Sequence, residues 1–515
     1  MSSIADRFKL LDSLRWNKLE RGRYCSSLTL PSILPPEGWT EQNQLPQPFS
    51  SVSARGVTAM ASRMLSALLP LNDMPFFKFQ MDTGVQPVVE VSNYLETLSQ
   101  QVFQKLSSGN LREVIYQALQ HLIIVGDVMI IMEDDMTFRL IRLDRFVCRR
   151  SVYGDPEEII FIEWETLPEG VNNEDLFSVN ESWEHKAGYR EIYHRVLIQE
   201  DKVVVTKEDK DGNTLAGGGE YTVSPYILLR WASVSGENYG RSHCEDLIGD
   251  IKTLEGFTEG LISGIAAGSL FWQGVDPTGI TEVDDLAGTP SGGFVASRPN
   301  EVFTISPATT MNPQINSTQT GVELLRREIG RAFLMDSASI PQGERVTATA
   351  VRMVGQELEH VLGGAFSSIA RDLMEPIVKR TTFLMATDNE IDPRLEEMFT
   401  EEGVLGVAIV TGLQALSRDT DLQKLMQMGE MVRNLPEAAA AMFRWDEYGK
   451  ALISSLGFNS QQWVKTEEEV KQEQLKLAQA QADIQGQSQS QLMANEAMTQ
   501  GALQAAMQDM EQTGG

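Results

Sequence analysis

Cysteine is scarce in this sequence: three in 515 residues, at Cys25, Cys148 and Cys244, far apart and without a CxxC spacing. That excludes a disulfide framework and a zinc ribbon and fits a reducing cytosol. Histidine is as sparse, with His121, His185, His194, His243 and His360 scattered along the chain. There is no GxxxxGK[ST] phosphate loop, no HExxH and no GxSxG, so no nucleotide site, zincin helix or nucleophile elbow is readable. No stretch of about 18 apolar residues occurs, and "MSSIADRFKLLDSLRWNK" lacks the apolar core of a signal peptide, so a soluble protein without export is expected. Positive charge is also short, 43 basic against 72 acidic residues for a net −29, which excludes a general basic surface for nucleic acid. What remains, 42% hydrophobic and 22% charged residues, is enough for several domains with cores.

The first quarter reads as helix: Ile4 to Tyr24, then "SVSARGVTAMASRMLSALLP", "VSNYLETLSQQVFQKL" and "LREVIYQALQHLII". From Gly126 the texture turns to short β-branched and aromatic runs, from "GDVMIIMED" to "PYILLRWASV", which predict a sheet region. Within it "DKDGNT" predicts a hairpin turn. A calcium loop there fails, because aligning Gly212 with the loop glycine puts Lys207 and Gly218 at ligand positions.

After Tyr239 helix returns, with Leu247, Ile251, Leu254, Leu261 and Ile265 forming an apolar seam. Lys252, Glu255 and Glu259 lie on another face. Gly256, Gly260, Gly264 and Gly268 recur every fourth residue along one side. Each helical glycine costs about 1 kcal/mol relative to alanine, so four in a row predict close approach by another helix. A Pro, Gly and Ser-rich insert follows, with short strands expected at "LFWQGV", "GGFVAS" and "EVFTIS", and then a second helix, "GVELLRREIGRAFLMD". A proline-and-glycine interruption leads to a long third helix from Thr347 to Met385, kinked at Pro376. Beyond Gln461 the chain is rich in Gln, Ala, Glu and Met.

Few residues suggest chemistry. Cys244 adjoins Glu245 and Asp246, surroundings that disfavour a thiolate, so acids at a helix N-terminus are the better reading. The pairs Asp134, Asp135 and Asp284, Asp285 are the basis for one alternative function, a metal-dependent DNA-processing enzyme, although both pairs sit in turn-like sequence. Arg326, Arg327 and Arg331 form a local basic face on the second helix, with Glu323 and Glu328 as expected salt-bridge partners.

Three stretches, "LTLPSILPPEGW", "SVSARGVTAMASRMLSALLPLNDMPFFKF" and "LIRLDRFVCRRSVYGDPEEII", resemble the head-to-tail connector, or portal, proteins of short-tailed, podovirus-type bacteriophages. The telling residues are Leu28 to Pro31, Ala54 to Val57 and Pro75 to Phe77. "NYGRSHCEDLIGDIKTLEG" and "SIPQGERVTATAVRMVGQELEHVLGGAF" follow in the same order, so the likeness runs from about Arg15 to about Asp419.

The resemblance implies a mainly helical α+β portal fold that assembles as a ring, usually of twelve subunits. Its parts would be an N-terminal wing (1–240), a first stem helix (241–270), a small α/β clip (271–319), a second stem helix (320–337), a tunnel loop (338–347), a long wing helix with the remaining wing (348–445) and a helical crown (446–515). It implies no enzyme activity and no cofactor. Gln342, Gly343, Glu344 and Arg345 would narrow a DNA channel. Lys252, Glu255, Glu259, Arg326, Arg327 and Arg331 would face that channel, and Gly256, Gly260, Gly264 and Gly268 would pack subunits together. The implied partners are further copies of the chain, double-stranded DNA, the large terminase subunit, tail adaptor and tail tube proteins, the major capsid protein, scaffolding protein and internal core proteins, with no membrane. The implied location is the portal vertex of the virion, and the host cytoplasm during assembly.

Overall fold

The computed structural model describes residues 3–40, 42–69, 75–81, 89–166, 189–199, 202–269, 272–290, 293–305, 307–335, 362, 364–388, 405–409, 425–431, 448–449, 452 and 498–502. The chain divides into two compact units, Met1–Pro87 with Leu98–Leu416, and Val88–Thr97 with Ser417–Gly515. In the second, residues 425–431 and 498–502 are helical, and the Tyr448 hydroxyl donates to Leu425 O at 2.9 Å.

The first unit opens with α1 (Ile4–Ser27), capped by Ser3 Oγ, which accepts from Asp6 N at 3.1 Å. One stripe of α1, Ile4, Phe8 and Leu11, is buried against Val147, Ile160 and Tyr193 of a five-stranded sheet. That sheet is antiparallel throughout, in the order β4 (Phe146–Arg150), β5 (Pro156–Thr166), β6 (Tyr189–Ile198), β7 (Val203–Asp209) and β8 (Gly219–Tyr221). The Asp-Gly turn expected at "DKDGNT" forms after β7, where Asp209 Oδ1 accepts from Asp211 N and Asn213 N. The Asp209 side chain completes a turn, as the hairpin reading requires.

α2 (Val52–Leu68) and α4 (Leu111–Ile124) pack together, and α4 leads into β2 (Asp127–Met132). Every residue of β2 is buried, because β2 lies centrally between β3 (Phe138–Ile141) and β9 (Tyr226–Arg230). α3 (Val89–Ser107) precedes α4, and β1 (Phe77–Met81) pairs antiparallel with β12 (Leu405–Ile409).

α9 (Ala365–Thr387) is pinned by Arg380, only 2% exposed, whose guanidinium donates to Met132 O at 3.3 Å and Val223 O at 2.7 Å and pairs with Asp134. The expected helix from Thr347 to Met385 is broken here: Gly364 adopts a left-handed φ of 87° and caps a helix that starts at Ala365. A left-handed residue cannot continue a right-handed helix. Ile369 and Leu373 are buried, whereas residues 351–361 of the expected helix lie outside the described residues.

Candidate functional site

The candidate site is the helical hairpin that leaves this body. Ser242 caps the short helix α5 (His243–Asp246), its Oγ accepting from Glu245 N at 3.0 Å, and α6 (Ile248–Ser269) follows. β10 (Trp272–Val275) pairs antiparallel with β11 (Val302–Ile305), and α8 (Pro307–Ala332) returns. Antiparallel pairing of α6 and α8 follows from three places. His243 Nε2 lies 3.1 Å from Ala332 O, Phe257 lies against Gly321 midway, and the β10–β11 pair closes the far end. Ile251, Leu254 and Thr258 on α6 and Val322 and Ile329 on α8 supply the buried seam.

At the base, His243 lies between Trp231, with ring centroids 5.5 Å apart, and Phe333, edge-on at 5.2 Å. Burial pushes its pKa down, so the neutral imidazole donates Nε2–H to the Ala332 carbonyl. Phe333 is fully buried, and its ring reaches Gly56 of α2, where a Cβ would meet it at 2.7 Å. The acids beside Cys244 have structural tasks: Glu245 pairs with Arg21 at 2.8 Å and Arg241 at 2.7 Å.

The insert between the helices differs from expectation in two ways. "GGFVAS" forms no strand over its described residues, and a short helix, α7 (Val283–Gly288), lies before it. Glu301 organises the insert: its carboxylate accepts from Arg298 N at 2.9 Å, Ile280 N at 3.0 Å and Thr281 Oγ1 at 2.8 Å. The Arg298 N–H, foremost among these donors, holds the Glu301 carboxyl below the usual carboxylate range. The returning helix also starts thirteen residues before the expected 320, at Pro307, a residue suited to a first helical turn.

The expected site residues divide. Lys252 and Glu259 are exposed. Glu255 instead accepts hydrogen bonds from Phe49 N and Ser50 N ahead of α2, which occupies its carboxylate within the protomer. Arg326, Arg327 and Arg331 are exposed, and among the described residues none forms an ion pair, so the expected bridges to Glu323 and Glu328 are absent. Gly256 and Gly260 face open space, since a Cβ at either would meet nothing within 4 Å, and Gly264 is half-buried. Gly268 lies in the last turn of α6. Gln342, Gly343, Glu344 and Arg345 lie outside the described residues.

The two acidic pairs gain no common geometry. Asp134 pairs with Arg380, and Asp135 accepts from Thr137 N and Oγ1 in a tight turn. Asp284 and Asp285 occupy the exposed first turn of α7. Among the described residues no group of three or more His, Cys, Asp or Glu could hold a metal, and no helix is long and apolar enough to cross a membrane.

Two features escaped sequence reasoning. Lys18 of α1, buried, donates to Val125 O and Gly240 O and pairs with Asp127 at 3.4 Å; nothing in the α1 pattern distinguishes it from a surface lysine. A cleft of about 850 Å³ opens between α4, β3 and strands β5 to β7, walled by Phe138, Leu140, Ile162 and Trp164 and edged by Glu113 and Gln117. Inside it burial raises the Glu163 pKa, but the hydrogen bond from His194 and the charge of Arg139 outweigh that and bring it to about 2.

The family model for "Bacteriophage head to tail connecting protein" matches residues 1–463. The chain belongs to this family, and its function is that of a phage portal, linking head and tail. It is 27% identical to the portal protein of Enterobacteria phage T3 over 79% of this chain and 77% of that one. It is 26% identical to the portal protein of Escherichia phage T7 over 89% and 87%, and 22% identical to that of Enterobacteria phage SP6 over 94% and 93%. A solved structure described as "Neck of empty GTA particle computed with C6 symmetry" covers 78% of this chain and is itself covered to 89%, at 12% identity and a TM-score of 0.33, too distant to carry structural detail over.

Proposed function

We propose that about twelve copies of the chain close into a ring at one capsid vertex, a closed symmetry in which one head-to-tail contact repeats. The hole conducts double-stranded DNA inward during packaging and outward during ejection. The ring is a structural conduit and hydrolyses nothing; the large terminase subunit docks on the insert at the far end of the hairpin and the tail adaptor and tube proteins replace it there. The body contacts the major capsid and scaffolding proteins, and the C-terminal region faces the internal core proteins, with assembly in the host cytoplasm.

The observation that carries this reading is the antiparallel α6–α8 hairpin, which leaves the body at one clamp and ends in a separate small insert. Its outward surfaces suit the task. Gly256 and Gly260 leave space for a neighbouring helix, and Arg326, Arg327 and Arg331 remain available to phosphates. With a net charge of −29, such local cations give weak, repeated contacts that let DNA slide. Residues 338–347, with Gln342, Gly343, Glu344 and Arg345 at the tip, would form the narrowest ring. Single-particle imaging of the purified protein tests the ring, and a homogeneous monomer or dimer in the presence of scaffolding protein would refute it. Arg345→Glu tests the constriction, because unchanged DNA retention in filled heads would remove it.

A further inference from the structure

The turn between β4 and β5 exposes two large apolar side chains, Val152 and Tyr153, each 94% accessible. It is nevertheless firmly built. Ser151 N donates to Asp155 O at 2.8 Å, Gly154 N donates to Ser151 O at 3.0 Å, and Ser151 Oγ accepts from Tyr153 N and Asp155 N, both at 3.2 Å. Arg150 and Arg230 both donate to Gly154 O, at 2.9 and 3.3 Å. A turn held this tightly gains nothing from leaving a valine and a tyrosine in water, and large rigid aromatics are what interfaces use as anchors.

We propose that this turn is a plug which enters the cleft between α4, β3 and β5 to β7 of the adjacent copy in the ring, a proposal that rests on the ring assembly above. The cleft matches a tyrosine in size and character. Its volume of about 850 Å³ holds an aromatic side chain with its neighbour, and its lining is mixed. Phe138, Ile162 and Trp164 lie among Arg139, Arg142, Arg145 and Glu163, so an aromatic ring would find apolar and cationic surface together, and Glu113 and Gln117 at the edge can meet a phenol hydroxyl. The backbone leaves room too. Asn110 covers the outward edge of Phe138 on β3, its amide group donating to Phe138 O and accepting from Phe138 N, both at 2.9 Å. By the period of two, the next outward rung, at Leu140, faces the cleft.

Plug and cleft must come from different copies. Tyr153 lies just before β5 begins at Pro156, whereas Ile162 and Trp164 line the cleft from the other half of the same strand. At about 3.3 Å per residue Ile162 and Trp164 lie roughly 20 and 26 Å along the strand from its start at Pro156, with the turn beyond that end, so plug and cleft cannot meet within a chain. Two different patches at the two ends of one strand make a heterologous contact, the kind that closes rings.

The test pairs Tyr153→Cys with Gln117→Cys in the full chain and treats purified rings with a short bis-maleimide; the native thiols are all buried. The proposal requires a ladder of linked chains in denaturing gels, absent from either single variant, and requires Tyr153→Asp to weaken ring closure by about tenfold or more, as loss of an aromatic anchor does. Rings that form at wild-type yield with Tyr153→Asp and give no ladder would overturn the plug while leaving the ring intact. An unsubstituted protein that forms no rings would overturn both.

Discussion

Gly56 is the position where the hairpin is most tightly fitted to the body, and Gly56→Ala measures that fit. A Cβ there would lie 2.7 Å from Phe333 Cγ and 2.9 Å from both Cβ and Cδ2, against about 3.5–4.0 Å for an ordinary carbon contact. The clash is with the root of the side chain, which rotation of the ring does not relieve. Phe333 has no room to withdraw, being fully buried, edge-on to His243 and hydrogen-bonded through its N–H to Ile329 O at 3.0 Å. Overpacking of this kind costs about 1–3 kcal/mol, and the gain in helix propensity from glycine to alanine returns about 1 kcal/mol. The expected net loss lies between zero and about 2 kcal/mol, toward the upper end for a contact this close.

Phe333→Ala removes Cγ and Cδ2, the nearest and one of the next nearest of the clashing atoms, so the double variant should be destabilised by at least about 1 kcal/mol less than the sum of the singles. Because a large multi-unit assembly unfolds irreversibly, the four proteins should be compared by calorimetry at one scan rate, with hydrogen exchange read over residues 243–246 and 329–333. A Gly56→Ala protein that melts at or above the wild-type temperature would refute the reasoning, as would additive effects in the double variant.

Further expectations rest on single side chains. Glu163 is held at about 2, below its ordinary 4.5, so its charged form stabilises the fold by about 3 kcal/mol above pH 4.5, a contribution lost as the pH falls toward 2. Denaturation midpoints of wild type and Glu163→Gln should therefore draw together as the pH falls from about 4.5 toward 2, and a constant gap would contradict the pairing. Burial raises the Cys25 and Cys148 thiols to about 11 and holds Cys244 well above the ordinary thiol range, so the folded protein should be silent to thiol reagents at pH 8 and yield three thiols when denatured. Arg380→Met strips donors from Met132 O and Val223 O and should cost about 2–4 kcal/mol, seen as faster hydrogen exchange along α9 and β2.

Periodic elements were readable because their burial is one-sided. α1 and α4 announce themselves by apolar spacing, and β2 by a continuous apolar run that only a central strand can use. The start of α8 was hidden because "PATTMNPQINSTQTG" is poor in helix formers and contains Pro313; there the helix follows its partner α6 against local preference. Gly363 and Gly364 stood in plain view within an apolar period, and their capacity to end a helix was outweighed by that period. The hairpin's residues were legible as a set, whereas Glu255's engagement with Phe49 and Ser50 depends on a contact across 205 positions or more, which no local pattern encodes.

The two legs of the hairpin enter and leave the body at one place, where Trp231, His243 and Phe333 interlock. Mechanically this is a cantilever, braced a few turns above its root where Glu255 of α6 holds Phe49 N and Ser50 N. Bending at the insert would load one leg in tension and the other in compression, and α6 hands part of that load to the segment ahead of α2 through Glu255. Phe333 sits at the end of the returning leg, so motion at the tip would be felt first where its ring meets Gly56 and His243.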